Sequence, residues 1–182
     1  MRSLKNLGDV PASVPLVADD VTELHGARLL LLLKLCGIAG RIEGLTKLAK
    51  MDFFVRYPAF FERLAVPSAA NAQSRTSTVE SSMIRHHYGP WDKRYYQILP
   101  FLEARDLISI TKVGSAYVFR LTERGKRMAG ELEKLPEFTG QVEQMKSVKR
   151  VLGQRSGTAI KKLIYELFDA EVARRPLGEV IE

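Results

Sequence analysis

The residues of this chain best suited to chemistry are its cations. Lys112, Arg120, Arg124, Lys126 and Arg127 gather in one stretch, and Lys146, Lys149, Arg150, Arg155, Lys161 and Lys162 place six positive charges and no negative one between positions 146 and 162. Such runs attract phosphate oxygens, a contact that needs charge but no base-edge geometry. The plainer reading of each run is a solvated helix face. If DNA is bound this way, binding is independent of sequence and weakens steeply with salt. The other reactive types do not converge. Cys36 is the only cysteine, so no internal disulfide can form, and its place in the apolar run LLLLLKLCGIAG predicts a buried thiol. His86 and His87 are adjacent and His25 is remote, so no set has metal-ligand spacing. Ser81 and Ser82 lie near His86 without an acidic residue to orient it. The phosphate-cradling, nucleophile-elbow, HExxH and dinucleotide fingerprints are all missing from the sequence. The expectation is a protein that is not an enzyme and uses no metal or cofactor.

The bulk numbers agree with a binding protein. With 182 residues, 46% hydrophobic and 27% charged, the chain has the make-up of one ordinary globular domain with appendages. A net charge of +7 favours nucleic acid, an anionic membrane surface or an acidic partner without choosing among them. Lys34 and the glycines after it interrupt the longest apolar run well short of a membrane span, and Pro11 and Pro15 fall where a signal peptide needs unbroken apolar residues. A cytoplasmic protein with no membrane contact is expected.

Periodicity then supplies the elements that must position these residues. Residues 1–18, with two prolines and little period, read as an extended arm. Asp19 or Asp20 caps a leucine-dense central helix running to about Leu35. A second helical pattern from Leu45 is kinked or divided by Pro58, and residues 65–82 switch to small polar types that predict a flexible loop. Trp91, Tyr95, Ile98, Leu99 and Leu102 then recur at helical spacing over 91–104. The stretch LISITKVGSAYVFRLT alternates around Gly114 and predicts a hairpin, with Thr122 as the N-cap of the helix that follows. Two more amphipathic helices lie beyond Pro136, with Gly157 between them. The fold class expected is mainly α with a small β-hairpin. Its organisation is a winged helix-turn-helix core over 19–136, the arm before it, and a C-terminal helical extension over 137–182.

A helical wheel over 91–104 puts Asp92, Lys93, Tyr96, Gln97, Pro100 and Glu103 on the outer arc. One plus meets two minuses there, and Arg94 at the border brings the face only to neutrality, short of what phosphate contacts require. Pro100 also bends the axis. The face therefore suits a protein partner, through Lys93, Tyr96 and Gln97. The aromatic set Phe53, Phe54, Tyr57, Phe60 and Phe61 reads first as core, and is dense enough for part of it to line a partner groove.

Two stretches carry a resemblance. YGPWDKRYYQILPFLEARDLI followed by YVFRLTERGKRM resembles the second half of winged-helix domains. Together with LTKLAKMDFFVRYPAFFERL, RHHYGPWDKRYY and SGTAIKKLIYELF, the pattern is similar to the small middle component of bacterial ABC three-component systems, the group that includes Lamassu-type antiphage defence. The resemblance implies a non-enzymatic adaptor joining an ATPase similar to structural-maintenance-of-chromosomes (SMC) proteins to an effector, often a nuclease, near double-stranded DNA. The alternative is a dimeric winged-helix transcription regulator, which would bind a two-fold operator selectively.

Overall fold

The computed structural model describes residues 21–65, 82–87, 89–169, 172 and 176–181. The expected arm over 1–18, the caps at Asp19 and Asp20, and nearly all of the expected loop over 65–82 lie outside the described residues. The fold is α+β, mostly helical, with two small antiparallel sheets.

Five consecutive leucines cannot face one side of a helix, so the helix that carries them must be covered all round. That helix, α1 (Thr22–Cys36), keeps Leu29 to Leu33 buried and packs against four other helices. A two-residue turn at Ala39 and Gly40, with φ of 51° and 71°, leads into β1 (Arg41–Glu43). α2 (Leu45–Arg56) follows; Pro58 breaks the pattern as expected, and α3 (Pro58–Ala65) begins on it.

The short strands β2 (Met83–His86) and β3 (Gly89–Trp91) come next, then α4 (Tyr95–Ala104). The expected hairpin is β4 (Ile108–Val113) and β5 (Ala116–Leu121), turning at Gly114 with φ of 59°. β5 pairs with β4 on one side and β1 on the other, which sets Arg41 against Arg120 and Ile42 against Phe119. Thr122 caps α5 (Glu123–Leu132) by accepting from Gly125 N at 3.0 Å. Gly125 weakens this turn by propensity, yet a β-carbon there would stand 1.8 Å from the Leu107 carbonyl oxygen, so close approach of two backbones requires it.

α6 (Thr139–Leu152) and α7 (Gly157–Leu167) pack on α1 and α2, and their buried faces share one hydrophobic core with the rest. The last strand, β6 (Val180–Ile181), joins β2, so the second sheet runs β3-β2-β6. Tyr57 fastens it: its hydroxyl accepts from Met83 N at 2.8 Å and donates to Ile181 O at 2.9 Å. Among the described residues no helix is long and apolar enough to cross a membrane.

Candidate interaction surface

The segment expected to form one helix from Trp91 does not do so. Trp91 ends β3, and Asp92 starts a turn in which its carboxylate accepts from Arg94 N at 2.9 Å, so the helix opens at Tyr95. Asp92 is consequently buried rather than on the outer arc, which corrects the wheel. Lys93, Tyr96, Gln97, Pro100 and Glu103 are exposed as expected. The Glu103 carboxylate is engaged, accepting from Ile110 N at 2.8 Å. What α4 and the turn before it present outward is one lysine, a 62% exposed tyrosine, a glutamine, a proline, and Glu103 with Ala104 at the helix end. The hairpin tip beyond it adds Val113 and Tyr117, 64% and 51% exposed, beside Lys112.

Behind this face lies a ring of buried charge that the sequence does not announce. The Arg28 Nε donates to Asp52 Oδ1 at 2.9 Å and the Tyr95 hydroxyl to Asp52 Oδ2 at 2.7 Å. The Arg56 guanidinium reaches Asp92 at 2.8 Å and Asp52 at 3.6 Å. Arg94 clamps Asp92, and its Nη1 stands 3.0 Å from His25 Nε2, while Arg28 Nη1 stands 3.0 Å from His25 Nδ1, closing the ring. Burial pushes the Asp92 carboxyl up, but the Arg94 hydrogen bonds and the charges of Arg56 and Arg94 outweigh it and hold it at about 2. Burial and then Asp52 push the Tyr95 phenol well above its ordinary range. The ring joins α1, α2 and the start of α4, so it fixes how α4 sits.

The aromatic set is not a partner groove. Phe53, Phe54, Tyr57, Phe60 and Phe61 are all buried, in edge and tilted contact with one another and with Phe168. Their packing is satisfied within the chain, which leaves them no area for a partner.

The two cationic groups divide on inspection. Lys112, Arg120, Arg124, Arg127 and Arg150 are exposed, with no ion pair among the described residues. Lys126 pairs with Glu123 at 2.6 Å, Lys146 with Glu133 at 3.5 Å and Lys162 with Glu166 at 3.6 Å. Lys149 turns inward, donating to the carbonyls of Cys36 at 2.9 Å and Gly37 at 2.7 Å at the end of α1. Lys161 is half-buried over the Tyr165 ring. The six-cation run is therefore not one continuous contact surface.

Sequence reasoning missed Arg41 and Lys47. The Lys47 ammonium donates to Gly153 O at 2.9 Å and lines a pocket of about 170 Å³ with Arg41, beside Lys149. Neither residue lies in a charge run; Arg41 is brought in by the pairing of β1 with β5, and Lys47 by the approach of α2 to the end of α6. Cys36 is buried, donating to Met145 O at 3.3 Å, and burial drives its thiol to about 12 against the charge of Lys149, so it is no nucleophile at neutral pH. Among the described residues no group of three histidine, cysteine or carboxylate side chains could hold a metal. No family model, no curated protein and no solved structure matches this chain.

Proposed function

We propose that this chain is a winged-helix adaptor that grips a protein partner through α4 and its hairpin, with cationic edges skimming a DNA backbone. The order helix, strand, helix, helix, hairpin supports the winged-helix reading, with β1 pairing back onto the hairpin as the third strand of the wing sheet. The 38 residues between Arg56 and Tyr95 are then an insertion between the second and third helices of that unit, carrying α3, β2 and β3.

The observation that carries the adaptor reading is the outward face of α4. Stripped of Asp92, it sets Lys93 against Glu103, whose carboxylate keeps its charge while accepting from Ile110 N, so the face has no surplus of positive charge for a helix laid among phosphates. Exposed Tyr96, Val113 and Tyr117 instead give aromatic and apolar anchors of the kind protein interfaces use. The partner proposed is an SMC-like ABC ATPase, with the effector of the same system bound to the assembly and double-stranded DNA touched at Lys112, Arg120, Arg124, Arg127 and Arg150. The adaptor works by holding two machines in one geometry and performs no covalent step.

Co-expression with a coiled-coil ATPase encoded beside this chain tests the reading. The wild type is expected to co-purify at physiological salt, and the pair Tyr96→Asp and Gln97→Arg to be lost from the complex while remaining folded. A chain that ignores the ATPase and binds its own promoter more tightly than random duplex would replace the adaptor reading with the transcription regulator.

A further inference from the structure

The pocket bounded by the end of α1, β1 and the first turn of α2 is lined by Cys36, Ile38, Arg41, Ile42, Glu43 and Lys47. Its volume of about 170 Å³ is room enough for one phosphate group. Two cations line it and a third stands beside it. Arg41 comes from β1 and Lys47 from α2, while Lys149 reaches over from α6 to the Cys36 carbonyl. An ammonium has three N–H groups. Lys47 uses one on Gly153 O and Lys149 uses two on Cys36 O and Gly37 O, so both keep donors for another acceptor.

Charge at this place is out of balance. Arg41 stands directly opposite Arg120 across the β1–β5 pair, an arrangement that is destabilising when nothing neutralises it. Glu43 takes Arg41 at 2.6 Å, and Arg120 has no ion pair among the described residues. Against Arg41, Lys47, Arg120 and Lys149 the site offers that one carboxylate, and the first turn of α2 has no acid of its own. Burial, then the charge of Lys149, lowers the Lys47 amine, the response of a cation short of counter-charge.

The walls are already in place. Ile38 and Arg41 exchange backbone hydrogen bonds of 2.9 and 3.1 Å around the Ala39–Gly40 turn, and a β-carbon on Gly37 would press on Arg41 N and O at 2.9 Å. A rim this tightly folded loses little freedom when a ligand enters.

We propose that this pocket binds a phosphate group, with Arg41 as the planar two-pronged donor and the Lys47 and Lys149 ammonium groups as point charges. Guanidinium is the side chain whose geometry matches a phosphate edge. The group could be carried by a nucleic-acid backbone or by a free phosphate ester; the chemistry of capture is shared. The inference does not rest on the protein-partner half of the adaptor reading, since neither Arg41 nor Lys47 is among the side chains proposed for that partner.

Thermal unfolding in inorganic phosphate against chloride at matched ionic strength, and anisotropy of a labelled random duplex, test it together. Phosphate is expected to raise the Tm of the wild type and of the surface control Lys134→Gln, and not of Arg41→Gln or Lys47→Met. The same two variants should weaken duplex binding about fivefold and flatten its logarithmic salt slope by about one if the backbone is the source. Glu43→Gln removes the competing carboxylate and should tighten binding, a sign that mere damage to the fold would not give. A Tm response without a duplex response assigns a free phosphate ester, and a duplex response alone assigns the backbone. Equal behaviour of Arg41→Gln and Lys134→Gln in both measurements overturns the proposal.

Discussion

The ring around Asp52 and the cationic run from Lys146 to Lys162 are both built from charged side chains on neighbouring helices, yet they do opposite things. In the ring, Arg28, Asp52, Arg56 and Asp92 are withdrawn from water and each meets a charged partner between 2.8 and 3.6 Å. In the run, Lys146 and Lys162 reach a carboxylate only at 3.5 and 3.6 Å and stay more than half exposed. The same residue types thus act as a lock in one place and as a solvated coat in the other. Burial makes the difference, because attraction between two charges grows as the dielectric around them falls.

The comparison breaks most visibly if the lock is opened. Asp52→Ala leaves the Arg28 and Arg56 guanidinium groups in the core without the carboxylate that both approach, and strips the Tyr95 hydroxyl of its acceptor. Breaking a buried pair from one side costs about 3–5 kcal/mol. Urea unfolding should show that loss, and a change under 1 kcal/mol would mean that water reaches the ring. Gly125→Ala, a steric rather than an electrostatic test of the same core, should cost about 1–3 kcal/mol through its collision with the Leu107 carbonyl.

A third charge sharpens the picture by lacking a carboxylate. Lys50 is fully buried, donating to Pro90 O at 2.6 Å and standing 5.5 Å from the Trp91 ring centre. Burial, with Lys161 and Arg85 adding to it, lowers its amine to about 7. Between about 7 and 10.5 the unfolded chain binds more protons at this position than the folded one, so stability rises with pH across that window, and the loss on lowering pH is complete by about 7. Lys50→Met should flatten that slope in unfolding curves collected from neutral to alkaline pH. At the acid end the sign has the same form for Asp92. Its carboxyl is held at about 2 against 3.8, so stability present above pH 4 should fall between pH 4 and 2, and Asp92→Asn should remove that step.

Much of this architecture was legible from local pattern, and the parts that were not depend on distant partners. The Gly114 hairpin, the break at Pro58, the Thr122 cap and the buried Cys36 all follow from neighbours in sequence, and the structure has them. The second sheet does not, because β2 finds its partner β6 nearly a hundred residues later. A wheel over 91–104 puts Asp92 outward only if the helix starts at Trp91, whereas an aspartate whose side chain can accept from the amide two residues on is equally a turn former. Five aromatics in nine residues, Phe53 to Phe61, read both as core and as groove, and only Phe168 packing onto them decides for core. Of the proposed contact residues, charge density found the exposed cations of the hairpin and α5. It could not show Lys149 turned inward or Arg41 set against Arg120, since the first follows from α6 packing on the end of α1 and the second from strand pairing.

The smallest effect belongs to the coat. Lys162 and Glu166 are one helical turn apart, 78% and 57% exposed at the side chain, with the lysine on the N-terminal side, the less favourable order for such a pair. Lys162→Ala should therefore shift unfolding by no more than about 0.5 kcal/mol, within the range of exposed pairs. A shift near that of Asp52→Ala would mean that Lys162 is held by more than Glu166, and the contrast between lock and coat would fail at its exposed end. A small shift in stability joined to a clear loss of duplex affinity would instead show why the cation stands there, since a charge that does little for the fold remains available to a ligand.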